Sequence, residues 1–122
     1  MANQRVVHFE IPADRPEALA RFYGELFGWT FRRAPNAEVE YLNIDTGAQA
    51  PGINGGIVKR QHPQHPCMNY VEVASIDAAV DKAASLGAQV ALPRTSVAGV
   101  GTIACLLDPE GHVFGLLERS PG

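Results

Sequence analysis

The segment VVHFEIPADRPEALARFYGELFGW, residues 6–29, decides the fold because two periodicities meet in it. Residues 5–12 alternate, with Val7, Phe9 and Ile11 on one side and His8, Glu10 and Pro12 on the other, as a half-buried strand does. The apolar side needs a helix to cover it, and the chain supplies one at once. Asp14 is placed to cap that helix, Pro16 suits its first turn, Glu17 completes an aspartate capping box, and Gly28 stops it. Leu19, Phe22, Tyr23, Leu26 and Phe27 recur at helical spacing and are expected in the core. His8 and Glu10, two residues apart on the polar side, pose the functional question: metal ligands, chemistry, or contact with water.

Working outward, three strand candidates follow Gly28: WTFRRA, EVEYLNIDT and GGIVKR. From Cys67 the same order returns, with a strand in CMNYVEVA, a helix in SIDAAVDKAASLG, then strands in AQVALPRTS, GTIACLLDP and HVFGLLER. A strand–helix–three-strand unit thus occurs twice. Residues agree as well as elements. HFEI aligns with YVEV, pairing His8 with Tyr70 and Glu10 with Glu72 at an offset of 62 (70 − 8), while Gly28 pairs with Gly87 and Gly56 with Gly115 at an offset of 59 (115 − 56). The reading is a single domain over 1–122, with module one at 5–60, a linker at 61–66 and module two at 67–119. QHPQHP, the linker, carries two histidines, but its prolines hold it extended, as in a solvated connector. DPEGH is a turn set by Pro109 and Gly111.

A chain of 122 residues with 46% hydrophobic residues can bury a core without staples, and 19% charged residues at a formal net charge of −3 leave no basic footprint for nucleic acid. No apolar run is long enough to span a membrane, and the start MANQRVV lacks a secretory stretch, so a cytoplasmic location is expected. The two cysteines, Cys67 and Cys105, have neither the number nor the spacing of a disulfide framework or zinc site, and both are expected to be buried free thiols.

The twofold unit, ARFYGELFGW in the first helix and DPEGHVFGL near the end together resemble the vicinal oxygen chelate superfamily, the glyoxalase, bleomycin-resistance and extradiol-dioxygenase group. The resemblance implies an α+β fold, two βαβββ modules in tandem forming a curved, cup-like mixed sheet with helices on the outer face. It also implies a divalent ion, held by a His or Gln from the first strand of each module and a Glu from the last. Carried over, those positions fall on His8, Gly56, Tyr70 and Gly115. His8 matches, and both carboxylates are missing.

A lone imidazole does not hold a divalent ion against water, so the resemblance implies a cup without its family metal, and no cofactor is expected. A centre with Ni, Zn, Mn or Fe on His8, Glu10 and Glu72 stands as the alternative. Losing two glutamates is expected to widen the cavity, with Gly56 and Gly115 on its floor and His8, Glu10, Tyr70 and Glu72 on its walls as substrate-binding and candidate catalytic groups. Three functions follow from the resemblance: a binder or metal-independent enzyme for a small organic molecule, a metal-dependent lyase or isomerase of the lactoylglutathione-lyase type, and a bleomycin-resistance-type sequestering protein. Whether the ligand is turned over stays open. A homodimer is the partner expected, with no nucleic acid and no membrane. Trp29, Phe31 and Tyr41 suit either the core or the pocket.

Overall fold

The computed structural model describes residues 4–35, 37–97 and 99–120. Its elements are β1 (Val6–Ala13), α1 (Pro16–Phe27), β2 (Thr30–Arg33), β3 (Tyr41–Asp45), β4 (Asn54–Lys59), β5 (Met68–Glu72), α2 (Ile76–Ser85), β6 (Gln89–Val97), β7 (Gly101–Leu107) and β8 (Val113–Arg119). The class is α+β, and the βαβββ order occurs twice. Contacts separate two compact units: His8–Cys67, and the chain from Met68 onward together with the residues up to Val7. Arg5 joins the latter by accepting a hydrogen bond at its carbonyl from the Glu72 amide at 3.0 Å.

In the first unit the strands lie in the order β2-β3-β4-β1. β1 pairs parallel with β4, and the other neighbours are antiparallel. A parallel pair needs a crossover, which α1 and the β2–β3 hairpin provide. The second unit repeats the plan as β6-β7-β8-β5, with β5 parallel to β8. In each unit the helix packs on one sheet face. Ala13, Ala20, Leu42, Ile44 and Ile57 form the first core, with Phe9, Trp29 and Phe31 against it. Val73, Ile76, Ala104, Leu106 and Leu116 form the second. Trp29 and Phe31, partly buried, thus pack against the first core.

The helix ends differ from the sequence expectation at one point. The N-cap of α1 is Arg15, whose side chain makes no capping bond; Asp14 accepts from Arg60 Nε at 2.9 Å instead, and Glu17 accepts from Arg33 at 2.7 Å. Salt bridges to two strand-end arginines have drawn both carboxylates away from the capping box. Gly28 does stop the helix, in the left-handed region at φ 78°, its amide donating to the Gly24 carbonyl at 2.8 Å. The C-terminal half of α1 is not core either: Phe22, Leu26 and Phe27 are more than half exposed, because α1 touches its sheet mainly through Pro16, Leu19 and Ala20. α2 is capped conventionally, the Ser75 hydroxyl accepting from the Ala78 amide at 3.2 Å, while Glu118 accepts from the Ile76 amide at 2.8 Å.

The turn at 108–112 is built by the Asp108 carboxylate, which accepts from the amides of Glu110 and His112, each at 2.9 Å. Those amides, the one from His112 foremost, hold its carboxyl below the usual range. Residues 60–66 are tied rather than loose: the Gln61 amide donates to His65 Nδ1 at 3.1 Å, and Arg60 donates to the His65 carbonyl at 3.2 Å. Cys105 is buried as expected, whereas Cys67, at the start of β5, is exposed.

Candidate functional site

The sheet face away from the helix carries the polar alternation of β1. His8 and Glu10 are both half-buried there. In the β1–β4 ladder Glu10 stands beside Gly56 and His8 beside Asn54, and in the β3–β4 ladder Asn43 stands opposite Gly56 and Tyr41 opposite Val58. Side chains at paired positions share a face, so Glu10, Gly56, Asn43 and Tyr41 lie on the same side as His8. Tyr41 leans from β3 across β4 to β1. Its hydroxyl lies 2.7 Å from His8 Nε2, and the two rings are nearly parallel at 15°.

The crossing is open because residue 56 is glycine. A Cβ there would overlap the ring and hydroxyl of Tyr41. The second unit reaches the same solution with different residues. Tyr70 on β5 stands beside Gly115 on β8, itself opposite Cys105 on β7, and a Cβ at Gly115 would overlap the Tyr70 ring. Tyr70 is 6% exposed and packs with Met68 and Cys105, bordered by Ile103 and Val113. This corrects the expectation that the two glycines leave open space on a pocket floor: each is a seat filled by a tyrosine ring. Sequence alone leaves Tyr41 undecided between core and pocket, because nothing in it says that a side chain two strands from His8 bridges the gap.

Register corrects a second expectation. Glu10 pairs with Gly56 and Tyr70 with Gly115, so Tyr70 is the counterpart of Glu10, at an offset of 60 (70 − 10). The helices begin at Pro16 and Ile76, again 60 apart (76 − 16). The counterpart of His8 is therefore Met68 rather than Tyr70, and that of Glu10 is not Glu72. HFEI and YVEV agree in polarity, but the spacing to the helix sets the counterpart. Glu72 accepts from Arg119 Nε at 3.0 Å, an ion pair at the ends of β5 and β8.

Each unit also carries a shallow cleft. One of about 350 Å³ lies under the β2–β3 connection, lined by Arg33, Pro35, Val39, Glu40 and Tyr41. The other, about 360 Å³, lies between α2 and β6, lined by Ile76, Val80, Val90, Pro93 and Arg94.

Residues 6–117 match the family model of the glyoxalase-like domain. The chain belongs to that family. Among known proteins it is similar to CFP32, a glyoxylase by name, of Mycobacterium bovis and of Mycobacterium tuberculosis, at 29% identity over 114 residues. That match takes in 92% of this chain but 43% of the relative, so the chain spans less than half of the relative's length. Solved structures share the fold at low identity. A hypothetical protein of Bacillus halodurans C-125 superposes with a TM-score of 0.74 at 12% identity, covering 98% of this chain and 97% of its own. Methylmalonyl-CoA epimerase of Mycobacterium tuberculosis gives 0.72 at 13%, covering 99% and 93%. The Streptomyces coelicolor epimerase, solved with 2-nitronate-propionyl-CoA, gives 0.70 at 14%, covering 97% and 99%.

The vicinal oxygen chelate resemblance implies a divalent ion, and the donor set of this chain does not fit one. At the first-strand positions stand His8 and, by register, Met68, whose thioether is a poor ligand for a hard divalent ion. At the last-strand positions stand two glycines whose side-chain space is taken by tyrosine rings. Among the described residues no three His, Cys, Asp or Glu side chains are placed to hold a metal ion. None of the helices is long and apolar enough to cross a membrane, again among the described residues.

Proposed function

We propose that this glyoxalase-like protein binds a small organic molecule on a strand face turned away from a helix, without the divalent ion that the vicinal oxygen chelate resemblance implies. It acts as a binder or a metal-independent enzyme. In the first unit His8 and Glu10, and in the second Tyr70 and Glu72, supply hydrogen bonds or proton transfer. The observation that carries this reading is the pair of tyrosine rings lying over the two glycines at the positions of the family's carboxylates. Solved neighbours with the same fold bind CoA esters, the Streptomyces coelicolor epimerase among them, which supports an organic ligand for this fold.

The test is metal analysis of protein purified without added ions. Less than one-tenth of an equivalent of Ni, Zn, Mn or Fe is expected, as an order-of-magnitude bound on tight binding; a stoichiometric ion lost in His8→Ala overturns the reading. The glyoxylase name of CFP32 favours the second reading, a metal-dependent lyase or isomerase, and that outcome would establish it. A sequestering protein would bind its ligand and release it unchanged. We further propose a cytoplasmic homodimer, which light scattering would reveal as twice the chain mass.

A further inference from the structure

Three neighbouring strands of the first unit carry one connected group. His8 is on β1, Gly56 on β4 and Tyr41 on β3, and β4 lies between the other two. Two strand spacings, about 9.5 Å, separate the backbones of β3 and β1, so a side chain that joins them must pass over β4. Any residue at 56 with a Cβ would occupy the volume of the Tyr41 ring. Gly56 is what lets the phenol reach across, and the reach ends in a 2.7 Å contact with Nε2 of a half-buried imidazole.

The second unit separates the seat from its consequence. Gly115 also lies under a tyrosine, but the Tyr70 ring comes from β5 and packs with Met68 and Cys105. Packing alone therefore accounts for a glycine beneath a ring. It does not account for the direction of the Tyr41 ring, which carries its hydroxyl to His8 on the neighbouring side of the same face.

We infer that Tyr41 is a positioning residue of the site: seated over Gly56, its hydroxyl fixes the orientation of the His8 ring, and Gly56 serves Tyr41 rather than the ligand. An imidazole bonded at one nitrogen presents the other in one direction, which is what recognition of an organic ligand's oxygen or nitrogen atoms requires. The inference rests on the proposed role of His8 for its functional meaning, but the coupling among the three residues is measurable without any ligand.

Tyr41→Phe keeps the ring on its seat and deletes the hydroxyl. Long-range proton–nitrogen NMR reads the imidazole nitrogens of the four histidines, with His8→Ala assigning the signal of interest. The expected result is a shift of the His8 nitrogens alone, with His62, His65 and His112 unmoved. Acylation of His8 by diethyl pyrocarbonate, mapped by mass spectrometry, is expected to quicken about fivefold, the equivalent of one ordinary hydrogen bond. Gly56→Ala, which must push the ring aside, is expected to give the same change at His8, and the double variant no more than Gly56→Ala alone. Unchanged His8 signals and reactivity in Tyr41→Phe overturn the inference, and so does a folded Gly56→Ala with native His8 signals. If Gly56→Ala does not fold, Tyr41→Phe decides by itself. A stoichiometric metal in the purified protein would overturn the proposed function while leaving these readings to decide the role of Tyr41.

Discussion

At Gly115 the missing side chain is a requirement of packing. The Tyr70 ring occupies the space a Cβ would need, and Tyr70 is almost fully buried, so the ring cannot move into solvent. Gly115→Ala is therefore expected to cost about 1–3 kcal/mol, the usual penalty of overpacking, measured by urea unfolding. In a Tyr70→Ala background the same change is expected to cost little, since the obstacle is gone, and that non-additivity is the signature of contact. The resemblance puts the two glycines where carboxylates are expected and His8 at an expected ligand position. What filled the lost volume was not visible, because the tyrosines come from different strands in the two units, β3 in one and β5 in the other. Polarity matching also misplaced the partner of His8. HFEI and YVEV agree letter by letter in character, while the true counterpart, Met68, shares no chemistry with histidine.

At the scale of elements, the capping residues illustrate how long-range pairing overrides local pattern. Asp14 and Glu17 read as a capping box, yet Arg60 and Arg33, which the sequence places far away, take both carboxylates. That leaves Arg15 at the N-cap without a side-chain bond. Arg15→Ser is expected to stabilise the fold by about 0.5–1 kcal/mol, and Ser75→Ala, which removes a working cap, to destabilise it by about 1 kcal/mol; thermal unfolding of both variants checks the pair of signs. Strand and helix placement was legible throughout, because alternation and helical spacing are local. The exposure of Phe22, Leu26 and Phe27 was not, since apolar spacing marks a face without saying how far the sheet extends beneath it.

The 60–66 segment offers a test in pH. Burial, then the neighbouring His62 and Arg60, hold the His65 imidazole below its ordinary value of 6.5, and its Nδ1 must be unprotonated to accept from the Gln61 amide. The folded value is the lowered one, so below 6.5 the unfolded chain binds more protons at this residue than the folded chain does. Its contribution is complete above the ordinary value and is lost as pH falls from there through the folded value. Exchange of the Gln61 amide, corrected for intrinsic rates, is expected to be less protected at about pH 5 than at about pH 8. His65→Leu should lack that change. Equal protection at both pH values would mean that the hydrogen bond does not hold the segment.

At the scale of the whole chain, the twofold βαβββ plan was legible because the order of elements repeats and the parallel β1–β4 and β5–β8 pairs follow from it. The metal question separates this chain from its family's pattern, and it has a thermodynamic reading that needs no ligand. A specific ion binds the native state and not the unfolded one, so an ion present at a hundred times its dissociation constant raises stability by about 2.7 kcal/mol. In a domain of this size that moves Tm by about 10 °C. With His8 and Met68 on the first strands and seated tyrosines on the last, the proposed metal-free reading expects no such gain. Tm is expected to be the same, within about 1 °C, in chelator and in excess Ni, Zn or Mn. The His62 and His65 imidazoles in the 60–66 segment could take up an ion at the surface, so the comparison is made in a His62→Asn, His65→Asn background as well. A rise of several degrees that persists there and vanishes on His8→Ala would place a metal at the first-strand histidine despite the missing carboxylates.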